Sequence, residues 1–145
     1  MRDRNKPINR KPETPSLRES ANLTDEIFKK LTQESIFPRR SRWVMAHKIA
    51  DLANDYMDAV VEANDPKVQT KALRDRRYTL QQIAIGKLSA LDVKLSQAVR
   101  VFNLNPDEFE VISGKINECS KLLASWVESD VKRYGPPSEA ELYRG

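Results

Sequence analysis

The sequence predicts an all-α protein, an up-and-down four-helix bundle with a long third helix and a disordered basic N-terminal arm. Apolar residues recur at alternating spacings of three and four along most of the chain, which is the period of one helix face. No segment alternates apolar and polar residues as a half-buried strand does. The breaks between the periodic segments are short, so consecutive helices should be antiparallel neighbours.

The N-terminal segment, residues 1–22, is predicted to be the disordered arm, because it is rich in proline and charge and poor in apolar side chains. Residues 1–18 carry six basic and two acidic side chains, which accounts for the net charge of +4 of the whole chain. Because nothing in residues 1–18 is expected to pack in a core, their deletion is expected to leave thermal stability nearly unchanged. Residues 23–135 should form the bundle as one domain.

The first two helices are predicted at about residues 24–35 and 41–63. Thr24 is the expected N-cap of the first helix, with Asp25 and Glu26 in its first turn. The core-facing positions of the second helix are Ala46, Ile49, Ala53, Tyr56, Val60 and Ala63.

The third helix is predicted to be much longer than the others. Asp65 and Pro66 are the expected N-cap and first helical residue, and no stop signal occurs until residues 103–106. At about 1.5 Å per residue such a helix would be about 57 Å long. Its surplus surface carries apolar residues off the core-facing seam, which predicts association between subunits. These residues are Ile83, Ile85, Val93, Val99 and Val101.

The fourth helix is predicted to start at Asn105 and Pro106 and to end at Gly135, ahead of a flexible C-terminal tail, residues 136–145. Its core-facing positions are Phe109, Ile112, Ile116, Cys119, Leu123 and Trp126.

Residue patterns for catalysis, metal binding and cofactor binding are missing from the sequence. His47 is the only histidine and Cys119 the only cysteine, so no set of zinc ligands can form within one chain. The four glycines are scattered and form no phosphate-binding loop. We therefore expect a protein that is not an enzyme and has no cofactor. A single cysteine and no apolar run of about 20 residues predict a cytoplasmic protein that does not enter membranes.

Two clusters of basic residues lie at predicted helix starts, where the positive end of the helix dipole disfavours cations. Helix starts also present free backbone N–H groups, and added basic side chains make them candidate sites for the phosphates of a nucleic acid. The first cluster is Arg39, Arg40, Arg42 and Lys48, and the second is Lys67, Lys71, Arg74, Arg76 and Arg77.

The second cluster has an alternative explanation, which the sequence leaves open. Four carboxylates line one face of the second helix at spacings of 4, 3 and 4, and they could pair with the start of the third helix across the turn. They are Asp51, Asp55, Asp58 and Glu62. The first cluster has no acidic residue between Ser35 and Ala50, so nucleic acid is its better partner.

Three segments together resemble a known family of small helical proteins. They are "FPRRSRWVMAHKIADLANDYMDAVVEAN", the basic helix start "LRDRR", and "INECSKLLASW" in the last helix. They are similar to the accessory variability determinant (Avd) family of diversity-generating retroelements and to the related ribosomal-RNA intervening-sequence proteins. The matching motif residues are Phe37, Pro38, Arg39, Arg40, Arg42, Ser125 and Trp126, within a resemblance that covers about residues 24–131.

The resemblance implies a four-helix bundle that assembles as a ring-like homopentamer with a basic surface. It also implies a reverse transcriptase and template RNA, alone or as an RNA–cDNA hybrid, as partners in mutagenic cDNA synthesis. The expected function is thus that of a non-catalytic accessory protein in a homo-oligomer, with a pentamer preferred. The alternative is an oligomeric helical scaffold that binds no nucleic acid and uses its basic clusters for salt bridges between subunits.

Overall fold

The computed structural model describes residues 14–38 and 45–138, which form four α-helices and, within those ranges, no strand. The helices are α1 (Pro15–Thr32), α2 (His47–Ala63), α3 (Lys71–Val101) and α4 (Glu110–Tyr134), with a short 3₁₀ turn at Pro106–Phe109. Each helix packs on the next helix in the chain, and α4 closes the ring on α1. The predicted four-helix bundle is confirmed.

The core is made of the helix faces that the apolar periodicity identifies. Every predicted core position of the second helix is buried, and so are those of the fourth helix from Phe109 to Leu123. Phe37, in the loop after α1, is also fully buried and packs against the same cluster. The largest fully buried apolar side chains are Tyr56, Phe37, Leu23, Ile27, Ile49, Leu91, Ile112 and Leu123.

The start of α1 differs from the prediction, because the helix begins at Pro15 rather than near Thr24. The Thr14 hydroxyl accepts a hydrogen bond from the Leu17 N–H at 3.1 Å, and proline fits the first helical turn, where its missing N–H costs nothing. Asp25 and Glu26 consequently lie beyond the midpoint of the helix instead of in its first turn.

Residues 14–22 are therefore not part of a disordered arm, which corrects the predicted boundary at residue 22. Ser16 and Ser20 are buried, and the Thr24 hydroxyl donates to the Ser20 carbonyl at 3.1 Å instead of capping a helix. The proline and charge of this segment predicted disorder. Its small polar side chains, Ser16 and Ser20, are instead buried against the neighbouring helices. Residues 1–13 of the predicted arm lie outside the described residues.

The start of α3 is also displaced, from Pro66 to Lys71. The Asp65 carboxylate accepts the Lys67 N–H at 3.0 Å, a local turn that competes with helix formation. Thr70 is the actual N-cap, and its hydroxyl accepts the N–H of Leu73 at 3.2 Å. α3 is 31 residues long, which corresponds to about 46 Å, and remains the longest of the four helices.

The boundaries of the fourth helical segment agree with the prediction. The Asn105 side chain accepts the N–H of Asp107 at 3.1 Å, and Pro106 opens the 3₁₀ turn that leads into α4. α4 ends at Gly135, whose φ of 89° suits glycine better than any other residue. Of the predicted tail, residues 139–145 lie outside the described part of the chain.

A small polar group lies inside the core where α1, α2 and α4 meet. The Ser20 and Tyr56 hydroxyls form a buried hydrogen bond, and Cys119 is buried beside them. Burial raises the pKa of Tyr56 above its usual range, and the hydrogen bond with Ser20 offsets this only in part. Burial likewise raises the pKa of the Cys119 thiol.

We expect the stability of the bundle to fall in alkaline solution. Both raised pKa values mean that the folded chain keeps protons that the unfolded chain releases near pH 8.5 for cysteine and about pH 10 for tyrosine. Their contribution is complete below about pH 8 and is lost as the pH rises. Urea unfolding of Tyr56→Phe should show about 1 kcal/mol less stability at pH 7 but a shallower decline between about pH 9.5 and 11. Parallel declines for the two proteins would contradict the assignment to Tyr56.

Candidate nucleic-acid interface

The residues of the first basic cluster are only partly described. Lys48 lies in the first turn of α2 with an exposed side chain, and that turn contains no acidic residue. Arg39, Arg40 and Arg42 lie outside the described residues, so their contacts stay a prediction. The length of α2, 17 residues, separates Lys48 from the end of the bundle that carries the second cluster by about 25 Å.

The second cluster lies at the end of the bundle where α1 and α3 begin and where α2 and α4 end. Three contacts establish this arrangement: Ser20–Tyr56 joins α1 to α2, Arg76–Glu62 joins α3 to α2, and Arg77–Asp130 joins α3 to α4. We call this region the basic end. Its cations are Lys67, Lys71, Arg74, Arg76 and Arg77 of the predicted cluster, and Lys132 and Arg133 of α4.

The carboxylates of α2 make only one ion pair with this cluster in the described structure. Glu62 lies 3.9 Å from Arg76, and both side chains are more than half exposed. Asp55 pairs instead with Lys87, farther along α3, at 3.7 Å. Exposed pairs at these distances contribute about 0–1 kcal/mol. The predicted alternative, in which the acidic face of α2 neutralises the cluster, therefore explains one of its five cations.

Arg77 has a structural role within the subunit. Its side chain is only 17% exposed, and its Nε lies 3.0 Å from Oδ2 of Asp130 on α4. The Nε–H group does not meet the geometry of a hydrogen bond to this oxygen, so the contact is an ion pair. The guanidinium also lies 4.9 Å from the ring centre of Trp126, a cation–π contact. These contacts join α3 to α4 and leave Arg77 little surface for a ligand.

Arg74 holds the loop before α3 against the end of α4. Its Nη1 donates to the carbonyls of Val68 and Gln69 at 3.2 and 3.4 Å. Its guanidinium also lies 5.5 Å from the ring centre of Tyr134, and Arg133 approaches the same ring at 5.9 Å. Arg74 is partly exposed, so it can reach a ligand while it orders the loop.

Three cations of the predicted second cluster are exposed and weakly held. Lys71 is 60% exposed and lies 3.4 Å from Asp75, one turn farther along α3. Arg76 is 61% exposed with its one long ion pair to Glu62, and Lys67 is exposed in the loop. The first turn of α3 contains no acidic residue. A phosphate group can therefore bind these side chains at little cost to contacts within the subunit.

A cleft of about 60 Å³ opens between the start of α3 and the end of α4. Its walls include Arg74, Tyr78, Gln81, Asp130 and Tyr134, and two prolines after α4 close one side. Gln81 is completely buried, and its Nε2 donates to Oδ2 of Asp130 at 3.0 Å. Its Oε1 is buried and has no hydrogen-bond partner in the described structure. We call this feature the Gln81 cleft.

Gln81 is not among the site residues predicted from the sequence. A signal was present, because Arg77, Gln81, Ala84 and Leu88 follow each other at spacings of 4, 3 and 4, the period of the core-facing seam. A polar residue at a seam position must find a buried partner. That partner is Asp130, which the sequence alone does not pair with α3.

The described residues contain no group of three or more histidine, cysteine or carboxylate side chains placed to hold a metal ion. His47 is exposed at the start of α2, while Cys119 is buried in the core, so these two residues do not share a site. None of the described helices is both long enough and apolar enough to cross a membrane.

No protein-family model, curated protein or solved structure matches this chain.

Proposed function

We propose that this chain is a non-catalytic accessory protein that binds RNA and a reverse transcriptase. The template RNA, alone or paired with its cDNA, would contact the basic end, and the protein would support mutagenic cDNA synthesis in the manner of the Avd family that it resembles. On the strength of its single cysteine we place it in the cytoplasm.

The observation that carries the proposal is the set of exposed cations at the start of α3. Of the five cations in residues 67–77, only Arg77 is largely covered and paired with another helix at 3.0 Å. Lys67, Lys71 and Arg76 project into solvent around a helix start whose first turn carries no acidic residue. Such a surface suits the phosphates of a nucleic acid better than it suits packing within the subunit.

Assembly into a homo-oligomer is part of the proposal. Large apolar side chains are exposed on the outer side of the long α3, with Val93 60% and Val101 64% exposed, and Val111 of α4 is exposed as well. Single exposed apolar residues are ordinary, but several along one long helix favour contact with another subunit. The preference for a pentamer comes from the family resemblance.

The alternative function is that of an oligomeric scaffold without nucleic-acid binding. The same exposed apolar side chains would form its subunit contacts. The two functions differ in what the first cluster contacts. Reversal of Arg39, Arg40 and Arg42 to glutamate should weaken RNA binding and leave the oligomer intact if these residues contact phosphates. If they form salt bridges between subunits, the same variant should dissociate.

Filter binding to single-stranded RNA, together with light scattering during gel filtration, separates these outcomes. We expect the wild type to elute as an oligomer and the variant to elute at the same mass, with RNA affinity reduced at least about tenfold. A variant that elutes as a monomer of about 17 kDa with unchanged RNA affinity would support the scaffold instead. A wild-type protein that elutes as a monomer would contradict the proposed assembly.

A further inference from the structure

The Gln81 cleft combines features that are unusual for a gap between packed helices. Its floor carries a completely buried amide, and its rim carries two tyrosines and the guanidinium of Arg74. Lys71 also lines the cleft, together with Asp75, its partner in a partly exposed ion pair. A flat apolar wall, a hydrogen-bonding floor and a cationic rim are thus within reach of one small ligand.

The orientation of the Gln81 amide determines what the floor can bind. Nε2 donates to the Asp130 carboxylate, and the reverse orientation would place an oxygen against that carboxylate. Oε1 is therefore the group left without a partner, and it can only accept a hydrogen bond. A ligand that suits this floor must bring an N–H or O–H donor, which excludes a bare phosphate or carboxylate.

The size of the cleft limits how much of a ligand enters. About 60 Å³ is several times what one water needs, about 10–15 Å³, and well below the cavity of about 150 Å³ that accepts a whole benzene ring. Only the edge of a ring can enter, and the rest of the ligand must remain at the rim. The edge of a nucleobase carries N–H donors, its faces stack on aromatic side chains, and its phosphate lies outside.

We infer that the Gln81 cleft binds one unpaired nucleotide of single-stranded RNA, with the base edge donating to Gln81 and the phosphate lying on Lys71 and Arg74. This inference rests on the proposed RNA-binding function and names the site where a base, rather than the backbone alone, is bound. Because Oε1 is covered in the free chain, a base reaches it only when a lining side chain moves. Tyr134, in the last turn of α4, lines the cleft, and its ring can stack on the bound base.

The test compares two RNA ligands of equal charge, a fluorescein-labelled twelve-residue oligouridylate and an abasic chain of the same length. Wild type should bind the oligouridylate about tenfold more tightly in fluorescence anisotropy, because only this ligand offers a base. Gln81→Met keeps the length of the side chain and removes both the Oε1 acceptor and the Nε2 donor to Asp130, so it should bind both ligands with the same, weaker affinity. Gln82→Met, at an exposed neighbouring position, is the matched control and should behave as wild type.

Thermal unfolding of Gln81→Met checks that the variant still folds. Its midpoint should change little, because removal of an unpartnered buried carbonyl offsets the loss of the Nε2 hydrogen bond to Asp130, which keeps its ion pair with Arg77. Wild type that binds the two ligands equally well would overturn the inference and leave the proposed function standing. A Gln81→Met protein that still prefers oligouridylate would also overturn the inference, because the preference would then not depend on Oε1 of Gln81. Wild type that binds neither ligand would contradict the proposed function itself.

Discussion

Reversal of Lys67, Lys71 and Arg76 to glutamate is expected to weaken RNA binding by at least about a hundredfold at low salt. These side chains are exposed, and the two ion pairs that they make, at 3.4 and 3.9 Å, add little to stability. Each reversal removes a charge-assisted contact with phosphate and adds a repulsive charge beside it. The fold and the oligomer should be unchanged.

The matched control places the same three reversals elsewhere on the surface. Lys94, Lys115 and Lys121 lie on α3 and α4 away from the basic end, and their reversal changes the net charge equally. Filter binding should show a much smaller loss for this control than for the basic-end variant. Equal losses would mean that only the total charge matters. Dissociation of the basic-end variant into monomers would favour the scaffold function.

Deletion of residues 1–22 is expected to destabilise the bundle by about 3 kcal/mol or more relative to deletion of residues 1–12. The longer deletion removes the Thr14 cap, the buried Ser16 and the Leu17 side chain packed on the core. It also removes Ser20 and leaves the buried Tyr56 hydroxyl without its hydrogen-bond partner. Unpaired buried polar groups cost about 1–3 kcal/mol each.

Urea unfolding of the two truncated proteins measures this difference directly. The result also tests the sequence-based prediction that residues 1–22 form a disordered arm, whose removal would cost no stability. Truncated proteins of equal stability would show that the first turns of α1 contribute nothing to the fold.

The spacing of apolar residues predicts the architecture well because it identifies the side chains that are buried when the chain folds. Burial of one helix face is a repeated physical requirement, so the seam from Ile49 to Ala63 could be located without coordinates. The end of α4 was also predictable, because the positive φ of Gly135 is a local property of one residue.

Helix starts were harder to predict because two local signals compete. Thr14, followed by Pro15, and Thr70 are ordinary N-caps. The first lies in a proline-rich segment, and the second follows Asp65 and Pro66, which also fit the start of a helix. Only packing decides between such alternatives. The Ser20 side of α1 contacts the core, whereas Asp65 forms a turn with the backbone of Lys67.

The candidate site could be predicted only in part. The basic residues are visible in the sequence, but their individual partners depend on which helices meet. Arg77 and Gln81 both reach Asp130, which lies 53 and 49 residues away along the chain, and no local pattern relates them. The division of the cluster into the half-buried Arg77 and the exposed Lys67, Lys71 and Arg76 therefore had to come from the structure.

The salt dependence of RNA binding by the wild-type protein is the most direct test of phosphate binding at the basic end. With three or more phosphates neutralised, log affinity against log salt for single-stranded RNA should fall with a slope of about −2 or steeper between roughly 50 and 300 mM. The variant with Lys67, Lys71 and Arg76 reversed should give a clearly shallower slope. Absence of saturable binding at about 50 mM salt, or an affinity that does not change with salt, would contradict the account.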